Sequence, residues 1–366
     1  MIGLYKKVLS VLGQILTIHP KKGSVMTPLF KNGIATAPLV DLLKLTKVHH
    51  EGNLHGIQKA TQDAWRQSSQ HSGDIKDIFA HLKADVTPLF QELGYIGEQA
   101  ETPLQHYSYG LVCGAYILAV RKRLALLKRI WEKGLTFDHL VLCGGKRAAN
   151  PAKESLEIIN KADGGLTLKK DWQPLTQVPS TEDSIMEAVL LQSDLPADWQ
   201  SKEFYTVVDT PLRTDRPEKP DPSGEDTLEH WLETLRPKAN SSVLLVYSQP
   251  QLRHMEVVAR RIFEPMDIIV DCVGYEAPGN INVSQVLDTI AKLIYELAKS
   301  YWRVKVKTNH DGISMTSGSL IVVAMTEDAA AKEIHRISLQ WRDDDYIPSF
   351  AKIEGPFPGY KEACGN

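Results

Sequence analysis

The chain has 366 residues, of which 43% are hydrophobic and 24% charged. At roughly 150 residues per domain this is one large or two ordinary domains, and the composition excludes disordered, collagen-like and coiled-coil chains. With 42 basic and 45 acidic residues the formal net charge is −3, which argues against a general electrostatic nucleic-acid binder.

From the N-terminus, Val8, Leu9, Val11, Leu12, Ile15 and Leu16 recur at helical spacing, and no small-x-small cleavage site follows them. An amphipathic packing helix is therefore expected rather than an export signal. Segments near 38–48, 55–70, 75–93 and 104–132 also carry apolar residues at three- and four-residue steps. Pro28, Pro38, Pro88 and Pro103 fall where helices start or break. The apolar run at 110–120, GLVCGAYILAV, is too short to cross a bilayer, which needs about 20 residues. Arg121, Lys122 and Arg123 follow it at once, so it reads as the buried half of a helix over 104–132. Residues 1–135 are expected to form a helical N-terminal region. Peripheral membrane contact stays open.

The character changes after residue 135. FDHLVLCGG (137–145) is an apolar run ending in two glycines, followed by the helical pattern AKESLEIINKA. FYTVVD (204–209), SVLLVYS (242–248) and DIIVDCVG (267–274) read as further strands. QLRHMEVVARRIF (251–263) and the stretch 283–302 read as helices. Strands with unbroken apolar runs alternating with helices predict an α/β fold over 136–366, a mostly parallel sheet covered on both faces. The segment 210–227, with four prolines and heavy charge, reads as a long loop. SGSLIVVAM (317–325) predicts one more strand and TEDAAAKEIHRIS a helix, and the Pro- and Gly-rich tail reads as irregular.

In an open parallel sheet, ligands bind outside the carboxyl ends of the strands. Gly144, Gly145, Lys146 and Arg147 follow the first predicted strand. Glycines there allow close backbone approach, and the next helix N-terminus favours an anion. A tight turn with solvated basic residues is the competing reading. Ser248, Gln249 and Arg253 follow the strand at 242–248 and suit a phosphate or carboxylate, or else Ser248 merely caps a helix. Glu182 and Thr227–Glu229 open two further helices, where capping by Thr or Ser, with acidic residues in the first turn, is the favoured reading for each taken singly.

The order of these four elements adds information. The chain runs Gly144-Gly145-Lys146, then Thr181-Glu182-Asp183-Ser184-Ile185-Met186, then Asp226-Thr227-Leu228-Glu229-His230, then Val246-Tyr247-Ser248 with Gln251 and Arg253. This succession resembles the YdcF/SanA/ElyC-like family of bacterial α/β proteins, whose pattern is GGG, SEA-x-x-M, NT-x-EN, and VTS or VTN before a His/Arg-bearing helix. The resemblance spans about 137–300. Lys146 replaces the third glycine, Asp226 and His230 replace two asparagines, and Gln251 stands at the helix His. Gln251 cannot shuttle a proton near neutral pH.

What the resemblance implies is a Rossmann-like domain with a polar pocket. Its ligand would be anionic or nucleotide-like, S-adenosylmethionine among the options, and its chemistry that of a hydrolase or transferase. The pocket would be lined by Gly144, Gly145, Lys146, Glu182, Thr227, Glu229, Ser248, Gln249 and Arg253. Glu182 and Glu229 would bind ribose or a metal, or one would serve as general base.

Other signals are weaker. His49, His50 and His55 match no metal motif, and neither do Asp343, Asp344 and Asp345. No metal ligand is assigned. Cys113, Cys143, Cys272 and Cys364 form no close pair, which fits a reducing, cytoplasmic setting. A competing class of function is a non-catalytic scaffold that captures a protein partner through residues 1–135.

Overall fold

The computed structural model describes residues 27–31, 33–67, 75–277, 279–310, 313–324 and 347–357. The expected N-terminal helix, the helix at 326–338 and the Asp343–Asp345 run lie outside the described residues.

A small hairpin, β1 (Phe30–Lys31) with β2 (Ile34–Ala35), precedes helices α1 (Ala37–Leu45), α2 (Leu54–Trp65) and α3 (Lys83–Glu92). α2 starts where Asn53 Oδ1 accepts the Gly56 amide at 2.7 Å, an N-cap that satisfies one otherwise orphaned donor. Next come β3 (His106–Cys113), α4 (Ile117–Trp131), β4 (Thr136–Gly145), the short α5 (Leu156–Ile159), α6 (Glu182–Gln192) and β5 (Tyr205–Thr210). Then follow α7 (Gly224–Leu235), β6 (Ser242–Ser248), α8 (Leu252–Phe263), β7 (Ile269–Tyr275) and α9 (Val283–Ala298). β8 (Ser300–His310), β9 (Ile313–Ala324) and β10 (Ile347–Phe357) make an antiparallel sheet in the order β10-β8-β9.

The main sheet has five parallel strands in the order β5-β4-β3-β6-β7, a Rossmann-like α/β arrangement. Its strands are buried in contiguous runs rather than alternately, because helices cover both faces. On one face Val120, Leu124 and Leu127 of α4 pack with Ile185, Met186 and Val189 of α6. On the other, Leu228 and Trp231 of α7 pack with Met255, Val258 and Phe263 of α8.

The helix expected over 104–132 is two elements. Its first part is β3, the central strand of the sheet, so the α/β architecture begins at His106, ahead of the change of character near 135. A strand buried on both faces carries the same continuous apolar run as a buried helix, and the single Gly114 between it and α4 does not by itself break a helical reading. The tail expected to be irregular contains β10, which pairs with β8 despite Pro348 and Pro356.

Helices α1–α3 do not stand apart. Leu39, Leu42, Ile57, Trp65, Val86 and Phe90 share one core with Val286, Leu287, Ile290 and Ile294 of α9. The inner apolar faces of α1–α3 are thus covered from within the chain.

Candidate functional site

β3 is paired with β4 on one side and with β6 on the other, and the chain reaches those two neighbours by crossovers on opposite faces. Strand order reverses there, and such reversals open a crevice beyond the strand ends. Gly114–Tyr116, Gly144–Arg147 and Ser248 follow or end the three strands concerned.

Glu182 enters this place from α6. Its amide donates to the Arg147 carbonyl at 2.9 Å, which ties the helix start to the loop after β4. Thr181 and Ser184 close a capping box at the same end. The carboxyl lies against the turn after β3: a Cβ on Gly114 would fall 2.8 Å from the Glu182 carboxyl carbon, so a larger residue there would push the carboxyl aside. Arg147 meets both oxygens of Glu154, at 2.9 and 3.0 Å, and reaches Glu182 at 3.4 Å. The Arg147 guanidinium also lies over the Tyr116 ring, 4.8 Å from its centre. Glu154 is 1% exposed and also accepts the Asn150 amide at 2.7 Å. Burial raises the Glu182 carboxyl above its ordinary value, and Arg147 only partly offsets this. Burial alone would lower Arg147, but Glu154 and Glu182 outweigh it and hold the guanidinium charged.

On the other side of β3 stands Arg123, 3% exposed. Its Nε and Nη2 donate to Ser248 Oγ at 3.1 and 2.6 Å, and its Nη1 donates to the carbonyls of Cys113 and Gly114 at 2.6 and 2.8 Å. Its guanidinium lies 4.2 Å from the centre of the Tyr247 ring. One side chain therefore fastens the ends of β3 and β6 together. Burial pushes the Tyr247 hydroxyl up to about 12, so it stays protonated.

Of the residues expected from sequence, Glu182 and Ser248 flank the end of β3. Gly144 and Gly145 are there too, but not as an open cradle. A Cβ on Gly144 would meet Asp183 Cα at 2.8 Å, and one on Gly145 would meet Pro222 at 2.4 Å. Their small size serves the close packing of α6 and of the Pro-rich loop. Lys146 bridges Asp183 at 2.9 Å and Asp209 at 3.1 Å.

The remaining four serve elsewhere. Gln249 Nε2 donates to the carbonyls of Gly94 and Gly97, each at 3.1 Å. Arg253 donates to the carbonyls of Thr27 and Leu93 and lies over the Tyr95 ring. Both help to hold the segment around α3. Thr227 returns its hydroxyl to the Ser223 carbonyl at 3.0 Å, and Glu229 helps hold the charge of Arg261. α7, which carries them, packs on the face of the sheet opposite α6, so Thr227 and Glu229 do not converge with Glu182.

Gly114, Tyr116, Arg123 and Glu154 did not stand out in the sequence. The available signal was Arg121-Lys122-Arg123: two of these three lie on the buried side of an amphipathic helix.

A separate cleft of about 580 Å³ lies along α4, lined among others by Glu98, Lys122, Arg129, Gly165 and Tyr275. Arg129 pairs with Glu98 across it at 2.5 Å. No buried polar groups converge there, so the strand end is the better candidate. His49, His50 and His55 are exposed. Among the described residues no cluster of three His, Cys, Asp or Glu is placed to hold a metal ion, and no helix is long and apolar enough to cross a membrane. Comparison with protein-family models, curated proteins and solved structures finds no match to this chain.

Proposed function

We propose that the protein binds a nucleotide-like small molecule in the crevice at the end of β3, between Glu182 with Arg147 on one side and Ser248 with Arg123 on the other. The observation that carries this reading is Glu182, a largely buried carboxyl placed against Gly114 where strand order reverses. A carboxyl with burial-raised pKa in such a place is a candidate functional group. As an acceptor, Glu182 suits vicinal ribose hydroxyls, and the cationic groups on either side suit an anionic portion. The order of motifs around Gly144, Glu182, Thr227 and Ser248 supports a YdcF-like assignment. S-adenosylmethionine then belongs among the ligands to test. In hydrolase or transferase chemistry the proton-handling group would be Glu182, because Gln251 cannot fill that role. Cys113, Cys143 and Cys272 are free thiols, in keeping with a reducing, cytoplasmic setting.

The test is a thermal-shift screen of the full chain with nucleotides and S-adenosylmethionine, repeated with Glu182→Gln. A ligand at a hundred times its dissociation constant adds about 2.7 kcal/mol of stability. Glu182→Gln is expected to weaken the shift about tenfold in concentration. A screen without shifts, or shifts indifferent to Glu182→Gln, sinks the reading.

A further inference from the structure

The sheet β10-β8-β9 divides its residues sharply between its two faces. β8 stands in the middle, antiparallel to β9 on one side and to β10 on the other. The register shifts place their extra residues in β9 and β10 only, so β8 alternates without a break from Ser300 to His310. Residues directly opposite one another share a face. One face therefore carries Trp302, Val304 and Val306 of β8, with Leu320 and Val322 of β9 and Ile353 of β10. The other carries Tyr301, Arg303, Lys305 and Lys307 of β8, with Lys352 and Phe357 of β10. Antiparallel sheets with one face packed and one solvated are divided in this way.

The second face is basic in a chain whose formal net charge is −3. Glu354 pairs with Arg303, but Lys305 stands opposite Ser319 and Lys352, and Lys307 opposite Thr316 and Ser349. No acidic residue of the three strands is in register with Lys305, Lys307 or Lys352. Like charges directly opposite one another destabilise an antiparallel pair, and an anion on the same face removes that cost. Arg303, Lys305 and Lys307 follow one another at steps of about 6.8 Å, a row that suits a linear polyanion better than a single phosphate. At the end of the row Tyr301 and Phe357 are partners in register. Proteins hold single-stranded nucleic acid by cations that track its backbone and aromatic residues that stack on its bases. An anionic lipid surface has the charge but no bases for an aromatic pair.

We propose that the face of β10-β8-β9 bearing Arg303, Lys305, Lys307 and Lys352 beside Tyr301 and Phe357 binds a short segment of single-stranded nucleic acid. The cations take successive phosphates, and the aromatic pair takes the adjoining bases. This surface is independent of the crevice at the end of β3, and neither requires the other.

Fluorescence anisotropy of the full chain with labelled oligo-dT and oligo-U single strands of about eight nucleotides tests this. Binding of either supports the proposal, and their ratio tells whether the ribose hydroxyl is read. With three or four phosphates neutralised, log K against log salt should fall with a slope of about −2 to −3 between about 50 and 200 mM. Lys305→Gln combined with Lys352→Gln should weaken binding roughly tenfold and bring the slope about 1.4 closer to zero. Tyr301→Ala should weaken binding about tenfold at an unchanged slope, and Tyr301→Phe, which stays aromatic, should restore it. A wild type that binds neither oligonucleotide overturns the proposal even if the variants fail to fold. So does binding that the paired lysine substitutions leave unchanged, or equal affinity for a duplex of the same length. Binding to phosphatidylserine vesicles without binding to the oligonucleotides overturns it in favour of a membrane surface.

Discussion

Two places at the carboxyl ends of the same sheet look alike in sequence and differ in structure. Beyond β3, Glu182, Arg147, Glu154, Arg123 and Ser248 bond to one another and to the strand ends. Beyond β6, Gln249 and Arg253 are equally polar and equally buried, but carbonyls around α3 take their side-chain hydrogens. The first group ties strand ends together around Glu182, and the second ties one layer of the protein to another, with Gln249 Oε1 left unmatched among the described residues. A strand-end position makes a polar residue a candidate, and its partners decide what it does.

The largest effect that probes this contrast is expected at Arg147. Arg147→Ala leaves Glu154 buried without its bidentate partner, and urea unfolding should show a loss of about 3–5 kcal/mol. A loss under 1 kcal/mol would mean that Glu154 finds water or another cation, and that the crevice is more open than it looks. Next comes Arg253→Ala, which strips the Thr27 and Leu93 carbonyls of a donor and should cost about 1–3 kcal/mol. The fraction of nucleotide bound, measured on the folded variant, should not change. Weakened binding there would erase the distinction between crevice and tether.

A comparable effect concerns pH, one residue along. Burial, reinforced by Lys292, pushes His254 down to about 3. In the unfolded chain its value is near 6.5. Between the two the unfolded state binds a proton that the folded state refuses, so stability rises with pH through this window and is lost as pH falls. His254→Gln should flatten that slope by up to about 1.4 kcal/mol per pH unit, read from denaturation midpoints at pH 4, 5 and 6. An unchanged slope would place the imidazole in contact with solvent.

Four strands of the main sheet are legible as apolar runs: 137–145, 204–209, 242–248 and 267–274 each match a parallel strand to within about two residues. β3 is not, because Leu111, Val112 and Cys113 run on through Ala115 into Ile117 and Leu118 without a proline or a charged break. Losing β3 hides the site as well, since Gly114 and Arg123 have meaning only at the end of the central strand. Glu182 and Ser248 are visible from local pattern. Gln249 and Arg253 look the same locally, and only the fold reveals that residues more than 150 positions earlier take their hydrogen bonds. Glu154 falls in AKESLEIINKA, read as helix, but the chain turns there and only Leu156–Ile159 is helical, so the helical pattern does not mark Glu154 as buried.

The sharing of one core between α1–α3 and α9 also bears on the order in which the chain comes together during synthesis. The half-sheet β3-β4-β5 is assembled from neighbours in sequence and can form early, whereas Leu111 must wait for Leu245 before β6 closes on it. Ile57, Trp65 and Phe90 wait longer, for partners beginning at Val283. At a ribosomal pace of about 5–20 residues per second, that apolar surface stays uncovered for on the order of ten seconds or more. The helices made first are among the last to be buried, and the interval exposes them to chaperones and to self-association.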